Sequence, residues 1–171
     1  MATGLPEDMD LDQLRRYVDF LLYHYRVVDA FWFIKVAEHF DQATAERLNE
    51  EVWEPAGKLG ARALRQRFDL EEKGIRGFVQ AQRLYPWCAL IGYEIEEDDN
   101  QASITVPSCP VQRARLDRGD GEYACKEMHR REFVAFAAEI DPRIRVECEF
   151  APPDPHPAEC FCRWRFYLEP E

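Results

Sequence analysis

Apolar and charged residues alternate without a break from Ile144 to Phe150, with Arg145, Glu147 and Glu149 separating Ile144, Val146, Cys148 and Phe150. The run from Cys160 to Phe166 repeats the pattern, placing Cys160, Cys162, Trp164 and Phe166 on even positions with Arg163 and Arg165 among them. A period of two marks a β-strand with one face buried and the other wet. Two such strands commit the chain to a sheet with a covered face, and they predict that Cys148, Cys160 and Cys162 point inward beside Trp164 and Phe166. That inner face is either a thiol-rich packed core or the floor of a metal or ligand site.

The first half reads differently. Leu11, Leu14, Val18, Leu21 and Tyr25 recur at intervals of three and four, which predicts an amphipathic helix. Asp10 with Gln13 makes a capping-box start for it. Helical character continues over 27–40, where Phe31, Trp32, Phe33, Ile34 and Val36 leave almost no polar side. A stretch this apolar is expected at the centre of the molecule. Asp41 caps a further segment whose Leu48, Val52, Ala56, Leu59 and Ala63 form one stripe, kinked or broken at Pro55. Another helix is expected over 71–83.

Residues 88–97 and 101–108 read as a hairpin turning at Asp98, Asp99 and Asn100. Residues 122–140 read as a helix stopped by Asp141 and Pro142. The proline-rich link over 151–157 should be a stiff, extended loop. Helices precede strands, and no strand–helix–strand rhythm or repeat is present. The expected class is therefore α+β, a single domain over 1–171 with a helical half (1–87) and a sheet-containing half (88–171). N-terminal helices would pack on an antiparallel sheet of about four strands with one inserted helix.

With 22 basic and 33 acidic residues the chain carries a net charge of −11, which repels phosphate backbones, so no nucleic-acid partner is expected. The basic residues from Arg113 to Arg131 are interrupted by Asp117, Asp120, Glu122 and Glu127 and read as a solvated surface. The first residues lack a basic segment followed by an apolar one, and no stretch approaches the roughly 18 uncharged residues that span a bilayer. Neither a signal peptide nor a membrane partner is expected, and the location should be cytoplasmic. Reducing conditions there keep all six cysteines as free thiols.

Three constellations could carry chemistry. Cys125 and His129 share one face of a predicted helix; with Cys109 and Cys162 they would offer thiolate and imidazole ligands suited to zinc or iron. His156, fixed among prolines, is a further candidate ligand. No paired-ligand spacing accompanies these residues, and cysteine packed as a small apolar side chain is the commoner arrangement. Cys109 and Cys125 are also candidate catalytic nucleophiles, because each stands near a predicted helix start, where the dipole lowers a thiol pKa. Thirdly, the segment around Trp32, with Trp53 and Trp164, would line an apolar ligand pocket, joined by Gln112, Arg115 and Lys126 as polar groups. Core packing is the commoner use of such aromatics. His24 and His39 read as satisfied or exposed.

The stretches 109–115, 125–126, 133–146, 152–157 and 162–166, with Asp29 to Phe33 and Glu50 to Trp53, resemble a family of uncharacterised prokaryotic cytosolic proteins. That family is similar to the aminothiazoline-carboxylate hydrolases and, more remotely, to small-molecule-binding domains of the 4-vinyl-reductase type. The resemblance implies a cysteine-edged pocket with Cys109, Cys125 and Cys162 at its rim. Where the hydrolase branch has an Asp after its second cysteine, this chain has Glu127, Met128 and His129. The implied shared features are fold and pocket rather than ring-opening hydrolysis. The leading expectation is thus a cytoplasmic domain binding a small molecule, with a metal as a further option. The alternative is a hydrolase of small cyclic amidines or amides, and assembly into a homo-oligomer through the helical half is a third expectation.

Overall fold

A computed structural model describes residues 9–169; the N-terminal stretch read above for a signal peptide lies outside them. Helix α1 (Leu11–His39) starts at a capping box in which Asp10 accepts from the Gln13 N–H and the Gln13 side chain accepts from the Asp10 N–H, both at 2.8 Å. Helix α2 (Gln42–Arg67) starts where Asp41 accepts the Thr44 N–H at 2.6 Å. It runs unbroken through Pro55, so the expected break does not occur. Pro55 is exposed, so the carbonyl it leaves without a partner faces water. Helices α3 (Gly74–Leu84) and α4 (Pro86–Ile91) follow, the second opened by proline at its first position and closed by Gly92 at φ 75°.

Strands β1 (Glu94–Glu97) and β2 (Gln101–Val106) form the expected hairpin, but its first arm begins six residues late. Cys88 lies in α4 instead, because Pro86 sets a helical start and Gly92 a stop. Two helices, rather than one, are inserted next: α5 (Pro110–Arg118) and α6 (Lys126–Ile140). Strands β3 (Ile144–Phe150) and β4 (Cys162–Leu168) complete an antiparallel sheet of order β1-β2-β4-β3. The class is α+β. In β4 the alternation holds, with Cys162, Trp164 and Phe166 buried and Arg163 exposed. Cys160 is buried too, but in the loop before the strand.

The core lies between the sheet and α6. Phe133 meets Trp164 and Phe166 with ring centroids 5.3 Å apart in each pair, and Phe78 of α3 lies 4.3 Å from Phe166. On its other side α6 packs against α2 through Gly57. A Cβ there would come within 2.7 Å of the Glu132 carbonyl oxygen, and one at Gly60 within 2.8 Å of the Tyr85 ring. Arg62 locks the far ends of the two helices with a bidentate pair to Glu139 at 2.9 and 3.0 Å.

Helix α1 corrects the sequence reading most sharply. It contains no buried residue; Phe31 is 57% and Trp32 70% exposed. The greasiest segment of the chain lies outermost, against α2 and α4. The α2 stripe is likewise displaced: Ala45, Trp53, Gly57 and Ala61 face inward, while Val52 and Leu59 face out. Small residues won the inner face because the backbones approach too closely for leucine. Replacing Gly57 by Ala should therefore cost about 1–3 kcal/mol by overpacking, despite the ~1 kcal/mol that alanine gains in helix propensity. Urea denaturation of G57A measures this, and an unchanged midpoint would show that the helices can part freely.

Candidate functional site

A hollow of about 60 Å³ opens where α6, α2 and the sheet meet. Helix α6 supplies Met128, His129, Glu132 and Phe133; α2 supplies Asn49 and Trp53; α1 contributes Asp29. Trp87 and Ile91 close it from α4, and Ile104, Val106, Cys162 and Trp164 from the sheet. The Cys109, Gln112, Tyr123 and Cys125 side chains complete the remaining wall with Phe161.

The lining is mostly apolar, with one acidic end. Glu132 is 2% exposed and accepts from the Tyr85 hydroxyl at 3.0 Å. Its other oxygen lies 3.1 Å from His129 Nδ1, which donates when it carries the ring proton. Asp29 reaches the same hollow from α1. Burial first, and then the nearby Glu132 charge, raise its pKa from 3.8 to about 6. Burial likewise pushes Tyr25 up to about 12. Trp53 donates to Asn49 at 3.0 Å, whereas the indole N–H groups of Trp87 and Trp164 find no acceptor in hydrogen-bonding geometry. The Tyr25 hydroxyl and the Cys162 thiol only lie close enough to feel them.

Of the residues singled out from sequence, Cys109, Gln112, Cys125, His129, Cys162 and Trp164 all line this hollow. Trp32, Arg115 and Lys126 do not. Trp32 faces out on α1. Arg115 donates to the Gly121 and Asp120 carbonyls, and Lys126 pairs with Asp154 at 2.7 Å. Gln112 is committed as a strut: its amide bonds Tyr123 N–H and C=O and the Cys125 sulfur. His156 is turned away, pairing with Glu122 at 3.1 Å.

The thiols gather without forming a ligand set. Among the described residues no three or more His, Cys, Asp or Glu side chains are grouped to hold a metal ion. The expected activation of the cysteines is reversed as well. Burial raises the Cys109 pKa against the opposing N–H groups of Gln112 and Val111. Burial, reinforced by Cys109, takes Cys125 to about 12, and burial also raises Cys162. Desolvation outweighs the helix-start effect, so the thiolate a nucleophile requires is scarce at neutral pH.

Sequence reasoning missed Asp29, Glu132, Tyr85 and Trp87. One signal was available for Glu132. Met128, Glu132 and Phe136 follow at steps of four, placing a lone carboxylate in an otherwise apolar row.

The raised Asp29 pKa carries a linkage consequence. The folded chain holds this proton more tightly than the unfolded chain, so stability falls as pH rises from about 4 to about 6. Asp29→Asn should raise stability by about 1–2 kcal/mol at pH 7, after allowing for partial solvent screening, and change little below about pH 4. Paired urea melts at the two pH values test this. A variant less stable at pH 7 would mean that Asp29 has a cationic partner.

A trafficking protein particle complex subunit 3 from Naegleria fowleri, solved covalently bound to palmitic acid, is similar with a TM-score of 0.50. The match covers 91% of this chain and 97% of that one at 12% sequence identity, a likeness of fold alone. No curated protein matches. Nothing in these comparisons supports the resemblance to aminothiazoline-carboxylate hydrolases or a prokaryotic source. Residues 3–168 match the profile described as a family of unknown function (DUF6125), and the chain belongs to that family.

Proposed function

We propose that the chain is a small-molecule-binding module whose ligand lodges a compact apolar part in the hollow between α2, α6 and the sheet. The observation that carries this reading is the hollow itself, walled by Trp53, Trp87, Phe133 and Trp164 and edged by a few polar groups. Voids larger than a water molecule are few in protein interiors, which sets this one apart. The palmitic acid held by the trafficking particle subunit supports the idea that this fold can wrap an apolar guest. At about 60 Å³ the hollow is smaller than the ~150 Å³ apolar cavity that takes benzene, so a ring enters as side chains at its open side shift.

The acidic end gives the guest a polarity. Asp29 and Glu132 make a hydrogen-bond-donating or cationic head favourable there and a carboxylate head costly. Thiols raised by burial weigh against the hydrolase alternative. Six free cysteines accord with a reducing, cytoplasmic setting, and no helix of the described residues is long and apolar enough to cross a membrane.

Calorimetric titration with three probes of one shape tests both parts: benzylamine, toluene and benzoate. Benzylamine should bind at least about tenfold more tightly than benzoate at pH 7, a difference of ~1.4 kcal/mol, with toluene between them. Equal affinities would remove the head-group preference and leave the hollow. No heat from any of the three at millimolar concentration would remove the hollow as a binding site.

A further inference from the structure

Beyond the pocket, one flank of α1 stays largely exposed among the described residues, although Tyr25 within it also packs on Trp53 and Trp87. Leu14, Val18, Leu21, Tyr25, Val28 and Trp32 follow one another at steps of four, three, four, three and four. This 3.5-residue recurrence keeps one row in line along a helix and is the spacing by which two helices interlock at ~20°. Every member of the row is exposed, from Leu14 at 39% to Trp32 at 70%. Phe31 flanks it. Helix α2 adds a shorter row of the same spacing in Leu48, Val52, Pro55 and Leu59.

The size of this face is at the upper end of what a lone chain leaves open. Its three exposed aromatics, Tyr25, Phe31 and Trp32, at roughly 150–250 Å² per ring, present on the order of 300 Å². The aliphatic members bring the total to about 600 Å², the top of the ~300–600 Å² of a typical monomer's largest patch and approaching the ~800 Å² each partner buries in a standard interface.

Charge selects the occupant. The chain as a whole carries −11, so two copies repel one another over most approaches. Helix α1 is neutral, with four basic and four acidic residues, and Arg15–Asp12 and Lys35–Glu38 are paired within it. It can face its own copy without a like-charge penalty. A lipid surface fits less well, because membrane-surface helices carry a basic surplus that this helix lacks, and anionic headgroups would repel the acidic remainder.

We infer that the exposed row of α1 is a two-fold interface with a second copy of this chain. An isologous contact needs the same spacing on both sides, and a single 3.5-residue row provides it. Since α1 also contributes Asp29 to the hollow, and Tyr25 packs its ring against Trp53 and Trp87, the helix would be braced from both sides.

Sedimentation velocity of the intact chain at micromolar concentration tests this. The expected species has twice the 20.1 kDa mass of one chain, and moderate salt should strengthen it by screening the acidic bodies. Leu21→Glu combined with Val28→Glu should weaken self-association by at least about 100-fold, with the circular dichroism spectrum unchanged because both sites are already in water. Tyr23→Glu, on the opposite side of α1 and 55% exposed, should leave the dimer intact. A wild-type monomer overturns the inference, as does a dimer that survives the double substitution or is lost equally in Y23E. Monomers that co-sediment with anionic phosphatidylserine vesicles would overturn it in favour of a membrane surface.

Discussion

The contact between Gly57 and the Glu132 carbonyl sets the geometry on which the rest depends. Only a residue without a Cβ lets α2 and α6 approach this closely, and the approach does two things. It lets α6 fill the space over the sheet, so Phe133 and Phe136 reach the rings of β4 and α3. Trp53, one turn before Gly57, and Glu132 itself then line the hollow beside the crossing.

The hollow is then shaped by competition between desolvation and charge. Every thiol that lines it, and the carboxyl of Asp29, is held toward its neutral form by burial. Glu132 keeps its place because a tyrosine and a histidine are turned toward its two oxygens. Such a pocket offers a guest shape, aromatic surface and a few hydrogen bonds. It offers no activated sulfur. The same three cysteines that look reactive by sequence position become passive lining once their surroundings are apolar.

Much of the fold was legible in the sequence, and the parts that were not have physical reasons. Alternation in β4 identified Cys162, Trp164 and Phe166 as inward because a sheet face has only two options. The capping residues Asp10 and Asp41 marked true helix starts. The placing of α1 failed because hydrophobicity reports that a surface must be covered, without saying whether this chain or another covers it. The α2 stripe failed since close helix contact rewards Gly and Ala over Leu and Val. Within the site, Cys109, Cys125 and Cys162 were singled out by sequence and line the hollow, but Asp29 and Glu132 were not. Burial distinguishes Asp29, and Tyr85, distant in sequence, bonds Glu132.

The proposed ligand site is the aromatic hollow and not the exposed Trp32 of α1. The chain has four tryptophans, and replacing them with 5-fluorotryptophan gives each a separate ¹⁹F signal. On titration with benzylamine the signals of Trp53, Trp87 and Trp164 should move together while that of Trp32 stays fixed. Movement of Trp32 alone, or of none, would contradict the assignment of the hollow as the site.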